Sequence, residues 1–326
     1  MTLPNRLKST TADIGRWIVG AALGVGLCAA LASGVPTQAF AQDVAPSVPV
    51  APSAVPRAAG AGPALWVVKD ADSTLYLFGT VHVLRPDTAW GSDKVEAAFD
   101  SADNVIFEIS NPDDQAAILP LIQSKGVSPD RPLSSLLTPE EIASLDTAAK
   151  AIGASAAQMD PLRPWLAALS LAMAPLQKAG YDPKSGVELV LKARAEAASK
   201  PISGLETLDK QVGILAGLSE PTQLEFLRTT LEDFEEASVE LDRMVAAWAA
   251  GDVQALEDIA IDDMREASEE IYQALLVKRN ADWADQIQTL LAGSGTTFIA
   301  VGAAHLAGDD SVQEILEGRG VTVSRE

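Results

Sequence analysis

The chain is nearly without cysteine and histidine and is short of positive charge. Its 326 residues contain one cysteine, Cys28, and two histidines, His82 and His305. A lone cysteine excludes an internal disulfide and a cysteine-built metal cluster. Lys and Arg number 24 against 45 Asp and Glu, for a net charge of −21. A surface of that sign repels nucleic acid and anionic lipid, so neither is an expected partner, and solubility is its simplest use. Long apolar runs are also missing beyond Trp17 to about Ala32. No G-x-S-x-G, Walker loop, H-E-x-x-H, or G-x-G-x-x-G after a strand occurs. This argues against nucleophile-elbow hydrolases, P-loop nucleotidases, helix-borne zinc proteases and dinucleotide-binding folds.

What is present begins with a leader. Arg6, Lys8 and Arg16 precede the apolar run, and Ala39-Phe40-Ala41 has the small-x-small pattern of a cleavage site. Residues 1–41 therefore read as a signal peptide cleaved after Ala41, with an uncleaved anchor as the alternative. Leu27 before Cys28 is too large for a lipoprotein site. The expectation is a periplasmic or secreted protein with no membrane span and no thiol after cleavage. Residues 42–62 carry Pro46, Pro49, Pro52 and Pro56 among Ala and Val, which block helix and ladder alike, so they read as an extended linker. Residues 63–326 are expected to form one domain.

Within it, Leu65 to Val68 and Thr74 to Phe78 read as strands around an Asp-rich turn. Ser92 caps a helix, and Asn104 to Ser110 is a further strand. From about residue 113 to 292 the pattern is mainly helical. It is interrupted by a short strand at Pro201-Ile202-Ser203 and by a break near Trp248 and Gly251-Asp252. Thr138-Pro139-Glu140-Glu141 is a helix start with proline and acids in the first turn. Thr296 to Val301 is strand, a capped helix follows, and the last residues are strand again. The two ends share the order strand, G-x-x-H, cap, helix, strand. The expected fold is α/β, a mixed sheet from two pseudo-symmetric β-α-β halves with a large helical insertion between them.

Both histidines close a G-x-x-H turn after an apolar strand, Gly79-Thr80-Val81-His82 and Gly302-Ala303-Ala304-His305. Strand-to-helix junctions are where α/β sheets place their chemistry, and a glycine there permits an unusual backbone angle. Either histidine alone reads as a satisfied core residue. Two in one context, with none elsewhere, point to a shared site. Neutral imidazole suits a divalent metal, and two histidines with a carboxylate and an open position make a hydrolytic centre. Glu108 interrupts the apolar run Val105-Ile106-Phe107, and an acid in a buried strand needs a partner. Glu206, just past the short strand, is the second carboxylate; an ordinary first-turn helix acid is its plain alternative. Arg279, between Lys278 and Asn280 in an acidic helix, could hold a carboxylate or an oxyanion, or be a solvated charge.

Read together, "LWVVKD…TLYLFGTVHVL", "NVIFEIS", "GVELVLKARAEAASKPISGLETLDKQ", "RMVAAWAAGD", "LLVKRNADWADQI" and "FIAVGAAHLAGDDSVQEIL" resemble the TraB/GumN family. That family includes the Tiki metalloproteases and is related to erythromycin esterase-like and ChaN-like proteins. The resemblance implies that His82, Glu108 and His305 bind a metal, with Glu206, Arg279 and Asn280 as catalytic groups; the sequence leaves open whether Glu108 or Glu206 is the ligand and which of them is the base. It also implies divalent-metal-dependent cleavage of a peptide or protein. Mn, Co and Zn all suit two nitrogens and a carboxylate oxygen. The expected function is an exported metal-dependent hydrolase, most readily a peptidase. The alternatives are a non-catalytic binder of a peptide or surface ligand on the same scaffold, and a metal-free esterase with a histidine general base.

Overall fold

In a computed structural model of the chain, residues 55–326 are described. The expected leader, and the expected linker up to residue 54, lie outside them. Residues 55–62 run against the body of the protein: Arg57 bridges to Gly91, and its side chain pairs with Asp93 at 2.7 Å.

The hairpin forms first in sequence, β1 (Leu65–Lys69) and β2 (Ser73–Thr80). Asp70 turns it, its side chain accepting from the backbone N–H groups of Asp72 (3.2 Å) and Ser73 (2.8 Å), as Asp does in Asx turns. Helix α1 (Asp93–Ser101) is capped by Ser92 and leads to β3 (Asn104–Ile109). The remaining strands are β4 (Ile202–Glu206), β5 (Gly295–Gly302) and β6 (Val323–Arg325). They make one six-stranded sheet in the order β4-β3-β5-β2-β1-β6. Strands β2, β5, β3 and β4 run parallel, and β1 is antiparallel to both its neighbours. The mixed α/β sheet expected from the pattern is therefore present. The two β-α-β units interleave: β5 lies between β2 and β3, and β6 lies beyond β2 and β1.

The central strands are covered on both faces, as parallel strands usually are. One face carries Phe78, Val105, Phe107 and Phe298 into the main core, where the Phe298 ring meets Phe78 at 5.7 Å and Phe99 at 5.4 Å. The other carries Leu77, Ile106, Ile299 and Val301 against Trp283, Ala284, Ile287, Val312 and Leu316. Between β3 and β4 come α2 (Gln115–Lys125), α3 (Pro139–Ala151), α4 (Pro164–Lys178) and α5 (Val187–Ala197). Helix α4 is buried from Pro164 to Leu176, which is why "PWLAALSLAMAPL" is apolar on every side. Between β4 and β5 come α6 (Leu208–Ala216), α7 (Glu220–Glu232), α8 (Ala237–Ala250) and α9 (Lys278–Leu291). Helix α10 (Val312–Gly318) precedes β6. Among the described residues no helix is long and apolar enough to cross a membrane.

One local expectation changes and another is refined. The short strand extends to Glu206, because β4 pairs with β3 as far as Ile109↔Glu206; Glu206 is a strand end, not a first-turn helix acid. The acidic helical region breaks at Gly251, as expected, with a φ of 72° that closes α8. It also breaks at Ser268, and it widens into π-helical turns at Glu257–Ile261 and Gln273–Val277. The second π turn runs straight into α9 and ends two residues before Arg279. Such turns often accompany functional sites.

Candidate functional site

The neighbouring strands β2 and β5 run parallel with Thr80 opposite Gly302, so the two G-x-x-H turns leave the sheet side by side. His82 follows β2, and His305 sits in the 3-10 turn Ala303–Leu306 after β5. Strand β3, on the other flank of β5, supplies Glu108, β4 supplies Glu206, and α9 supplies Arg279 and Asn280. The site thus lies at the carboxyl ends of the parallel strands. All six side chains are buried, His82 and His305 completely. Gly79 does not take the unusual backbone angle expected of it, since it is absent from the residues with positive φ. Its role is close approach: a Cβ there would stand 3.1 Å from the Cα of Ala303. The first G-x-x-H turn packs closely on the second, and a side chain at Gly79 would have to push Ala303 aside by a few tenths of an ångström.

Arg279 organises the centre. Its Nη2 donates to Glu108 Oε2 at 2.7 Å and to Glu206 Oε2 at 2.9 Å, and its Nε donates to both Glu206 oxygens at 3.2 and 3.0 Å. Its Nη1 donates to the Leu275 carbonyl in the π turn (3.2 Å) and to His305 Nε2 (3.0 Å). The guanidinium stacks 4.6 Å from the Trp283 ring, which also lies 4.3 Å from the His305 ring. The solvated-charge reading of Arg279 is excluded by this burial. Glu108 Oε1 accepts from the Gly302 backbone N–H at 2.7 Å and stands 3.8 Å from His305 Nε2.

These bonds fix the tautomer of His305. Guanidinium only donates, so Nε2 holds the lone pair and Nδ1 the proton. Nδ1–H then donates to Asn280 Oδ1 at 2.5 Å, while Asn280 Nδ2 donates to the Asp310 carbonyl at 2.8 Å and keeps the amide in that orientation. Burial, then the neighbouring charges of Arg279 and His82, hold the His305 pKa well below 6.5, so the ring is a neutral acceptor. For His82, burial opposes charging, but Glu188 outweighs it, helped by the more distant Glu108, and the pKa is raised. Burial likewise opposes charge on Arg279, and Glu108 and Glu206 overcome it.

Sequence reasoning did not single out Glu188, Thr80, Gln211 or Trp283. Glu188 is buried on α5, with Oε1 2.5 Å from His82 Nδ1, and Thr80 Oγ1 donates to the same oxygen. Gln211 Nε2 donates to Glu108 Oε2 at 2.8 Å. Acids in a first helical turn are ordinary, which hid Glu188. The available signal was its place among Val187, Leu189 and Val190, where a solvated acid is out of keeping.

A metal of the expected kind fits the donor chemistry. His82 Nε2 is completely buried and has no protein hydrogen-bond partner. His305 Nε2 is a lone pair beside a Glu108 oxygen, and nitrogen–nitrogen–oxygen sets suit Mn, Co or Zn. As the side chains stand, Arg279 takes the lone pair of His305. Among the described residues no group of three or more His, Cys, Asp or Glu is arranged around one ion position. A lone pair serves one partner, so any ion bound through His305 Nε2 replaces the bond from Arg279.

Residues 64–325 match the TraB/PrgY/gumN family. The chain is 25% identical over 256 residues to YbaP of Escherichia coli (strain K12), an uncharacterized protein, covering 78% of this chain and 92% of that one. YbaP of Shigella flexneri matches to the same extent. An uncharacterized protein of Treponema pallidum (strain Nichols) is 24% identical over 273 residues, covering 78% of this chain and 80% of its own length. No solved structure matches. The family match spans almost the whole of the described chain, and the protein belongs to the TraB/PrgY/gumN family.

Proposed function

We propose that the protein is an exported metal-dependent hydrolase acting on a peptide or protein. The observation that carries this reading is the matched anchoring of two histidines. Each meets an oxygen at Nδ1, from Glu188 or from Asn280, which turns Nε2 toward the site: on His82 that nitrogen has no hydrogen-bond partner, and on His305 it accepts from Arg279. That arrangement, with an outer oxygen behind each imidazole, is how proteins prepare histidine ligands. His82, His305 and Glu108 would hold the ion; Glu108 suits that role because its Oε1 is the carboxylate oxygen nearest His305 Nε2. When bound, a divalent ion supplies a water of lowered pKa and polarises a carbonyl.

The remaining steps belong to the chain. Glu206, between Arg279 and the half-exposed Lys210 (3.4 Å), takes the proton as general base. The Arg279 Nη1–H that now meets His305 would be released by an ion on that nitrogen, and could then serve developing negative charge inside a buried, low-dielectric site. Asn280 keeps His305 in the accepting tautomer. Export rests on the leader ending at Ala41, and mass spectrometry of the protein recovered from the periplasm tests it.

Elemental analysis of the purified mature protein, beside His82→Ala and His305→Ala, tests the hydrolase. Expected are stoichiometric Mn, Co or Zn in the parent, none in either variant, and loss of peptide cleavage with the circular dichroism spectrum kept. Cleavage that survives chelation and both substitutions overturns the reading. One observation favours a second reading, a metal-free esterase. His82 backed by Glu188, with Nε2 unpartnered, is also the form of a histidine general base. Activity that resists chelator and is lost only with His82 would select it.

A further inference from the structure

The start of α5 is built around His82. Val187 N–H donates to the Val81 carbonyl at 3.0 Å. Gly186 abuts the His82 backbone so closely that a Cβ there would run into the His82 carbonyl. With the backbone clamped, Glu188 Oε1 lies 2.5 Å from His82 Nδ1, an ion-pair contact and not an aligned hydrogen bond, and Thr80 donates to the same oxygen. A nitrogen and a carboxylate oxygen that close need a proton on one of them, because two lone pairs would repel, and the imidazole nitrogen is the more basic of the two.

We propose that Glu188 is the positioning residue of His82: it holds the Nδ1 proton, fixes the ring, and leaves Nε2 as the electron-rich donor. Asn280 does the same for His305 with a neutral amide. The two G-x-x-H turns therefore carry equivalent but unequally polarised imidazoles, and His82 is the stronger donor. A carboxylate behind an imidazole raises its basicity, and an amide does so far less. The consequence for metal affinity rests on the hydrolase reading; the state of the ring does not.

Because the chain has only two histidines, nitrogen-15 spectra of the full-length protein report each ring separately. Expected is a protonated Nδ1 on His82 with its proton far downfield. In Glu188→Gln, which gives His82 the kind of support His305 has, that proton shifts upfield while the His305 signals stay in place. Thr80→Val, which leaves the carboxylate but removes its second hydrogen bond, gives a smaller shift in the same direction. An unprotonated Nδ1 on His82 in the parent, or an unchanged spectrum in Glu188→Gln, overturns the proposal. Calorimetric titration with Mn(II) is expected to show affinity about 10–100-fold weaker in Glu188→Gln, and equal affinity overturns the proposal. A parent that takes up no Mn(II), Co(II) or Zn(II) overturns the hydrolase reading instead, and the ring spectra still decide the role of Glu188.

Discussion

Arg279 carries the charge that lets Glu108 and Glu206 share an interior. Of the two acids Lys210 reaches Glu206 alone, at 3.4 Å from a half-exposed position, and its shorter pair, at 2.6 Å, is with Asp282. Replacing Arg279 by Met keeps most of the volume and leaves the two acids buried without it. Breaking a buried ion pair on one side typically costs about 3–5 kcal/mol, and that loss is expected in urea unfolding. The triple variant Glu108→Gln, Glu206→Gln, Arg279→Met should recover most of it; a loss under about 1 kcal/mol in the single variant would mean that the acids are not held by the guanidinium. The two histidines pull stability in opposite directions with pH. The His82 pKa is raised in the fold, so its contribution is fully present below pH 6.5 and is lost as pH rises through the folded value. The His305 pKa is lowered, so its contribution is present above pH 6.5 and is lost as pH falls below it. In metal-free protein, His82→Gln should therefore remove a loss on the alkaline side and His305→Gln a loss on the acid side. Urea midpoints between about pH 5 and 9 read both, and identical profiles for the two variants would contradict the assignment.

Among the elements, α3 shows how local chemistry announces itself. Thr138 accepts from Glu141 N–H at 3.2 Å, and Glu141 Oε2 accepts from Thr138 N–H at 2.7 Å, a complete capping box. Thr138→Ala is expected to lower stability by about 1 kcal/mol, seen as an earlier thermal transition at unchanged helical content. This start was legible because threonine, proline and acids each act on the next few residues. The strands ending in glycine were legible for a similar reason, and Glu108 stood out because a lone acid breaks an apolar run. Sheet order was not legible, since nothing within β5 says that it enters between β2 and β3. Glu188 was hidden because its partner, His82, is remote in sequence and its helical position suits an ordinary acid. The π turn before Arg279 leaves no simple periodic mark, so the burial of that residue could not be read from its neighbours.

For the whole molecule, charge is the property that composition reports best. A net charge of −21 repels itself in the compact state. Raising sodium chloride from about 0.05 to 0.5 M shortens the screening length to a few ångströms and is expected to raise Tm; a fall would show that pairs such as Arg194–Glu96 and Arg85–Asp242 outweigh the general repulsion. The place of β5 has another consequence. This strand fills the slot between β2 and β3, although Ser73 pairs with Gly295 across most of the chain. During synthesis on the ribosome, the earlier strands must wait with open edges until nearly the last residues emerge. A chain cut short before β5 would lack one of its two imidazoles and keep two unzipped half-sheets, a species fit for chaperone capture or clumping. The chemistry cannot be assembled ahead of the finished polypeptide.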